Sequence, residues 1–269
     1  MGFFDFFKFR KKPKEIKIGL ALGSGGAKGF AELGAIKALE ENGIKFDYIS
    51  GASIGSIIGA FLANEYSATD IVELLTRVDF SEIKNLFMIK MSTAGMFNVI
   101  DRTIGNMNIE ELKKPFRCTA TNMETGDEFV FSKGSVALAL CASASYPPFF
   151  KPVVINGERF IDGAFTNSVP ADLVKELGAD YVIGIDLSNH QSKPSLLSRI
   201  FPTFKSKIEE PWQKGYENSN VMLKPDLSNY SAVSFSDWHK MFDIGYEEAL
   251  KHIPKILKDI DQLKNQKKK

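Results

Sequence analysis

Residues 16–64 read IKIGLALGSGGAKGFAELGAIKALEENGIKFDYISGASIGSIIGAFLAN. The stretch opens with an apolar run, Ile16 to Leu22, that is typical of a buried strand, and Ala27 to Asn42 then repeats apolar residues at helical spacing. Phe46 to Ile49 predicts a second short strand, and Ser53 to Ala63 predicts a second helix. Strand, turn and helix therefore occur twice in succession, which favours parallel strands joined by helices.

The rest of the chain continues this alternation. Further strands are predicted at Phe116 to Asn122, Glu128 to Phe131, Val153 to Ile155, Arg159 to Ile161 and Tyr181 to Asp186, the first four of them as two hairpins. Further helices are predicted from Ser67, from Ser135 to Ser143, from Pro170 to Leu177 and, in one or two pieces interrupted at Pro254, from Asp237 to Leu263. We therefore expect an α/β fold, a three-layer α/β/α sandwich with a largely parallel central sheet. The loops that follow its strands should gather at one edge.

Composition limits the classes of protein to consider. The 269 residues carry a formal net charge of +1, so there is no global electrostatic reason to expect nucleic acid as a partner. The two cysteines, Cys118 and Cys141, are too few for a disulfide framework or a thiolate metal site. A folded protein of the reducing cytosol fits these counts best.

The N-terminus reads MGFFDFFKFRKK and places its aromatic residues before its basic ones, which is the reverse of a secretory signal peptide. Phe6 stands where the myristoylation pattern requires Ser or Thr. Phenylalanines beside basic residues could form a short anchor on anionic lipid, or the segment could be a loose terminus or pack on the domain. We expect a cytoplasmic protein that, in the first case, makes peripheral contact with the inner face of the membrane.

Gly51-Ala52-Ser53-Ile54-Gly55 lies between the second predicted strand and the second predicted helix. In a nucleophile elbow, a sharp turn projects a serine hydroxyl while small neighbours let the backbone pass. The pentapeptide by itself is equally compatible with an ordinary glycine-rich connection. The strand before it and the helix after it favour Ser53 as a nucleophile.

A second glycine-rich loop, Gly23-Ser24-Gly25-Gly26-Ala27-Lys28-Gly29, joins the first strand to the first helix. Free backbone N–H groups and the helix dipole make such a loop an anion site. A dinucleotide-binding loop would require an acidic residue at the end of the next strand, and a phosphate loop would require Ser or Thr directly after the lysine. The next strand delivers Ser50, Gly51 and Ser53 instead, so an oxyanion hole fits better.

A nucleophilic serine needs a proton acceptor, and histidine is the usual one. His190, His239 and His252 all follow the last predicted strand, in segments without a catalytic pattern. Asp162-Gly163-Ala164 directly follows a predicted strand, and small residues there permit close approach. An aspartate with the reference pKa of about 3.9 is ionised near neutrality and can accept the serine proton. Asp162 is therefore the candidate base, although the tripeptide alone is also compatible with a plain turn.

Taken together, Ser24 to Gly29, Gly51 to Gly55 and Asp162 to Ala164 resemble the motifs of patatin-like phospholipases in order, context and approximate spacing. The resemblance covers Ile16 to Asp186 and includes Ser143-Ala144-Ser145 with the prolines that follow it. Ser24 departs from the pattern, because many members have glycine there. A serine still provides a backbone N–H, but with less conformational freedom.

This resemblance implies the patatin-like fold and a catalytic dyad of Ser53 and Asp162, which accounts for the lack of a catalytic histidine. It also implies an oxyanion hole formed by the amides of Gly25 and Gly26, and hydrolysis of fatty-acyl esters of phospholipids or lysophospholipids through an acyl-enzyme. No metal or organic cofactor is required. A catalytically weak member that only binds lipid is the alternative. The supporting motif positions are Ser24, Lys28, Gly29, Gly51, Gly55 and Gly163.

The chain is expected to divide into three parts. An aromatic and basic segment (residues 1–15) precedes a patatin-like catalytic domain (residues 16–187), and a C-terminal extension follows (residues 188–269). The extension should begin as a long surface segment and end in helices that pack on the same domain. Phe149, Phe150 and the stretch Phe87 to Phe97 could hold an acyl chain or simply pack in the core.

Overall fold

The computed structural model of the protein describes residues 15–77, 93–188 and 210–267. Its strands are β1 (Ile18–Leu22), β2 (Tyr48–Ala52), β3 (Phe116–Asn122), β4 (Glu128–Phe131), β5 (Val153–Ile155), β6 (Glu158–Asp162), β7 (Tyr181–Ile185) and β8 (Val221–Leu223). Its helices are α1 (Gly29–Glu41), α2 (Ile54–Ala63), α3 (Ala68–Arg77), α4 (Thr93–Ile104), α5 (Val136–Ser143), α6 (Ala171–Glu176), α7 (Gln213–Asn218) and α8 (Trp238–Gln266).

All eight strands form one sheet in the order β5-β6-β3-β2-β1-β7-β8, and β4 pairs with β3 outside this path. The strands from β3 to β8 in this order are parallel neighbours, while β4, β5 and β6 are added in antiparallel pairs. The largely parallel centre agrees with the sequence-based expectation, and both predicted hairpins, β3-β4 and β5-β6, are confirmed.

Strand β3 is shared by three neighbours in a way that positions the site. β4 pairs with Cys118 to Thr121, β2 pairs with residues 116–119, and β6 pairs with residues 120–122. Since β2 and β6 each overlap β4 along β3, both must lie on the edge of β3 opposite β4. β2 runs with β3 and β6 runs against it, so the two strands point at each other. They meet where Ala52 pairs with Thr119 and Asp162 pairs with Ala120.

Side chains alternate between the two faces of the sheet along each strand. The strands carry apolar side chains on both faces, and helices cover both. In β1, Ile18, Leu20 and Leu22 belong to the large core cluster that also contains the apolar residues of α1. Ala21 belongs instead to a smaller cluster with Val174 of α6. Three layers result.

Helix α8 packs on α1 with the two backbones in close contact. A Cβ on Gly34 would lie 1.9 Å from the carbonyl oxygen of Phe242, and a Cβ on Gly245 would lie 1.8 Å from that of Ala31. Neither position has room for a side chain. The C-terminal helix is thereby held directly against the helix that follows the glycine-rich loop.

Two expectations for the C-terminal part differ from the structure. Helix α8 continues through Pro254 without interruption, because Ile253 and Ile256 are both buried and packing offsets the hydrogen bond that proline cannot donate. In the expected surface segment, the described residues 210–230 contain helix α7 and strand β8, and β8 extends the sheet beside β7. Three strand residues, Val-Met-Leu, were too few for the sequence to signal.

Several expectations concern residues outside the described ones. These are the N-terminal segment up to residue 14, most of the stretch Phe87 to Phe97, and His190. Within the described ranges, no helix combines the length and the apolar character needed to cross a bilayer.

Candidate active site

Ser53 occupies the turn between β2 and α2 with φ 54° and ψ −125°, a backbone conformation that side chains rarely adopt. Its glycine neighbours permit the turn. A Cβ on Gly51 would lie 2.2 Å from the carbonyl oxygen of Gly55, and a Cβ on Gly55 would lie 2.6 Å from that of Gly23. The second contact also brings the start of the glycine-rich loop against the start of α2. This geometry is that of a nucleophile elbow.

Asp162 ends β6 and is completely buried. Its Oδ2 accepts a hydrogen bond from the Ser53 hydroxyl at 2.6 Å, and its Oδ1 accepts one from the Ala164 N–H at 2.8 Å. A Cβ on Gly163 would lie 2.4 Å from the carbonyl oxygen of Thr119, so glycine is required next to the carboxylate. The two candidate residues, 109 positions apart in the chain, therefore form one hydrogen-bonded pair.

Burial controls the electrostatics of this pair. Removal from water raises the pKa of Asp162 to about 7, while the hydrogen bonds from Ser53 and from the Ala164 N–H act in the opposite direction. Asp162 is thus a much stronger proton acceptor than an exposed aspartate, and its protonation changes near neutral pH. Its charge also contributes, after burial, to a raised pKa of Tyr146, whose ring stacks on Phe165.

The end of α5 holds both members of the pair. The Ser53 N–H donates to Ser143 Oγ at 3.0 Å, and the Asp162 N–H donates to the Ser145 carbonyl oxygen at 3.1 Å. Both Ser143 and Ser145 are fully buried, and Ser145 Oγ donates to the carbonyl of Cys141. The sequence supplied Ser143-Ala144-Ser145 as part of a resemblance but gave neither serine a role. Two serines ending a helix of small residues were the available signal.

For the ester hydrolysis that the resemblance implies, Ser143→Ala should lower kcat about 3- to 10-fold with little change in KM. The change removes the hydrogen bond that holds the Ser53 N–H, and one such bond contributes about 0.5–1.5 kcal/mol. Ser135→Ala is the matched control, because Ser135 caps the other end of α5 through the Leu138 N–H and does not contact the pair. Steady-state kinetics on both purified variants provide the measurement. An equal drop in kcat in both would show that only helix stability matters.

The glycine-rich loop leaves two amides available. Ser24 N–H donates to the Ser168 carbonyl and Ala27 N–H to the Ala232 carbonyl, whereas within the described ranges the N–H groups of Gly25 and Gly26 donate to no protein atom. Gly26 has φ +57°, and a Cβ there would lie 2.3 Å from the Ala232 oxygen. The two amides that the sequence nominated for an oxyanion are thus free to bind one.

Two further motif positions support the loop. A Cβ on Gly29 would lie 2.5 Å from Ile54, so the first turn of α1 packs directly on the residue after Ser53. Lys28 precedes α1, and partial burial lowers the pKa of its ammonium group. These contacts join the loop and the elbow into one unit.

The remaining sequence candidates take ordinary places. Within the part of the chain that the structure describes, no histidine contacts Ser53 or Asp162: His252 pairs with Glu248, and the exposed His239 lies against Trp238. Phe150 packs against the large core cluster, and Phe149 is half-buried.

Comparison with known proteins identifies the family of the chain. The model of the family described as patatin-like phospholipase matches residues 20–175. The lysophospholipase nte1 of Neosartorya fischeri is 32% identical over an alignment of 293 positions that covers 94% of this chain and 19% of that protein. The neuropathy target esterase sws of Drosophila melanogaster is 27% identical over an alignment of 284 positions that covers 90% of this chain and 20% of that protein. The chain thus spans about a fifth of the length of these curated relatives.

Among solved structures, VipD from Legionella pneumophila superposes with a TM-score of 0.56 at 14% identity, over 88% of this chain and 66% of that one. At this identity the likeness concerns the fold alone. The family match, in contrast, includes the glycine-rich loop, the elbow and Asp162 within one continuous stretch of more than half the chain. The chain belongs to the patatin-like phospholipase family.

Proposed function

We propose that the protein is a serine lipid acyl hydrolase in which Ser53 and Asp162 form the catalytic dyad. The observation that carries the proposal is the 2.6 Å hydrogen bond from Ser53 Oγ to a buried carboxylate, in a chain whose described histidines lie elsewhere. Ser53 is only partly buried, on a turn with positive φ, which supports access of an ester to its hydroxyl.

The reaction has two stages. Ser53 Oγ attacks the ester carbonyl carbon while its proton passes to Asp162 Oδ2, and the carbonyl oxygen becomes an oxyanion bound by the Gly25 and Gly26 amides. Collapse of this intermediate breaks the ester C–O bond, and the leaving alcohol takes the proton from Asp162. Water then attacks the acyl-enzyme, its proton passes to Asp162, and the fatty acid is released as Ser53 regains its proton.

The family and its relatives support the proposed substrate class. The matching family is named for phospholipases, and the relatives are named lysophospholipase and neuropathy target esterase. A fatty-acyl ester of a phospholipid or lysophospholipid is therefore the proposed substrate. The relatives are much longer proteins, so the activity of this chain requires its own measurement.

The test incubates the purified full chain with lysophosphatidylcholine micelles, phosphatidylcholine vesicles and a short-chain nitrophenyl ester, and measures released acid. We expect release of fatty acid from at least one of the two lipids. Vesicle binding in a flotation assay without release of fatty acid would instead identify a lipid-binding member of the family. Absence of both hydrolysis and binding would overturn the proposal.

A further inference from the structure

A buried acid lies directly beneath the glycine-rich loop. Glu32 belongs to α1 and has no exposed surface. Its Oε1 accepts a hydrogen bond from the Gly23 N–H at 2.7 Å, nine positions earlier in the chain. We propose that Glu32 is a positioning residue that holds the first amide of the oxyanion loop and does so as a neutral carboxylic acid. This inference deepens the proposed function and rests on it.

The bond fixes the start of the loop. Gly23 follows β1, and a Cβ there would lie 2.7 Å from the Ile185 carbonyl oxygen, so its backbone is pressed against β7. The Gly23 carbonyl contacts Gly55 of the elbow. Glu32 therefore ties the helix that ends the loop to the residue that begins it. The amides of Gly25 and Gly26 lie between Gly23 and α1, so their directions depend on the positions of both.

The surroundings of Glu32 favour its uncharged form. Its second oxygen, Oε2, is buried and has no hydrogen-bond partner among the described residues. Burial raises the pKa of Glu32 well above its usual range. The hydrogen bond from Gly23 acts in the opposite direction, Asp186 raises the pKa further, and no lysine or arginine among the described residues contributes. Asp186, which follows β7, accepts hydrogen bonds from the Ser188 N–H and Oγ and from the Tyr216 hydroxyl.

Neutrality has a consequence for catalysis. A negative charge on Glu32 would lie beneath amides that must stabilise an oxyanion, and would oppose the charge that develops there. A protonated carboxyl keeps the carbonyl oxygen that Gly23 needs and adds no charge. Glutamine reproduces both properties at the same size, whereas methionine fills the space without an acceptor.

The experiment compares Glu32→Gln and Glu32→Met with the wild-type chain. Glu40 supplies the controls, because it lies on the same helix, is partly buried and accepts from the Ala68 N–H away from the site. We expect Glu32→Gln to keep kcat within about twofold and Glu32→Met to lose about 10- to 100-fold with KM little changed, as a misplaced oxyanion donor would. Glu40→Gln and Glu40→Met should leave kcat unchanged.

Two readouts do not depend on activity. Amide hydrogen exchange at Gly23 should accelerate in Glu32→Met but not in Glu32→Gln. In an Asp162→Asn background, which removes the other carboxyl that is partly protonated near pH 7, the infrared band of a protonated carboxyl at neutral pH should be lost on the change of Glu32 to Gln. Exchange at Gly23 unchanged in Glu32→Met would overturn the positioning role. An equal loss of kcat in Glu32→Gln, or no protonated-carboxyl band to lose, would overturn the neutral acid. Wild-type chain that hydrolyses no ester would contradict the proposed function while these two readouts still test Glu32.

Discussion

Asp162→Asn is expected to lower kcat on a lipid ester by about 10³- to 10⁴-fold, the contribution that a positioned general base makes at its upper limit. The amide keeps the size of the carboxyl group and its contact with Ser53 but cannot take up the serine proton. Asp172→Asn is the matched control, because Asp172 bonds Asn167 and Lys214 further along the same segment and does not reach Ser53. Steady-state rates of fatty-acid release for the two variants provide the comparison.

The same residue sets the pH dependence. In the proposed mechanism the base is the ionised form of Asp162, and burial raises its pKa to about 7. The value of kcat/KM should therefore increase as the pH rises through about 7. An exposed aspartate would have reached full activity several pH units lower. A profile already flat at pH 5 would contradict Asp162 as the titrating base, as would an Asp162→Asn enzyme with the same acid limb as the wild-type enzyme.

Ser53→Ala should remove the nucleophile and reduce kcat by about 10⁴-fold or more, because no other group can form the acyl-enzyme. Serine and alanine both carry a Cβ, so the positive φ at this position costs them a similar amount of free energy. The turn and the fold should therefore persist with a similar melting temperature. A fluorophosphonate should label the wild-type chain at Ser53, as located by mass spectrometry, and should not label the variant.

Ser67→Ala is the control for this labelling. Ser67 lies at the start of α3, where its hydroxyl donates to Asp70. Asp70 is an exposed carboxylate whose pKa is lowered by the hydrogen bonds from Ser67, so it is a weaker base than the buried Asp162. Replacement of Ser67 should leave both labelling and hydrolysis intact. Label recovered on any residue other than Ser53 in active enzyme would falsify the nucleophile assignment.

Local patterns were sufficient to predict much of this molecule. The strand, turn and helix order of residues 16–64 follows from apolar spacing, and the glycines of the elbow are there because their neighbours leave no room for a Cβ. Asp162 could be nominated because it ends a strand. Its contact with Ser53 could not be predicted from the strand pattern, since it depends on β6 running antiparallel and meeting β2 on β3.

Long-range contacts account for most of what the sequence did not reveal. Ser143 bonds a residue 90 positions away, and nothing local marks its hydroxyl as an acceptor for the Ser53 N–H. Glu32 does carry a local signal of a buried polar role, because it stands among the apolar residues of the first helix, but the sequence does not indicate that it contacts Gly23. Helix α8 shows the converse: a proline expected to break a helix is tolerated where the flanking side chains are buried.

β2 and β6 meet end to end on one edge of β3, so the proposed dyad lies at a junction of two strands that come from distant parts of the chain. A strand advances about 3.3 Å per residue. A single residue inserted into β3 between Thr119 and Ala120 would therefore separate the ends of β2 and β6 by more than the length of the Ser53–Asp162 hydrogen bond. Likewise, a chain whose β5-β6 hairpin has not yet docked holds the serine without its base. The proposed dyad therefore requires the complete sheet, because Ser53 and Asp162 come within hydrogen-bond distance only where β2 and β6 share β3.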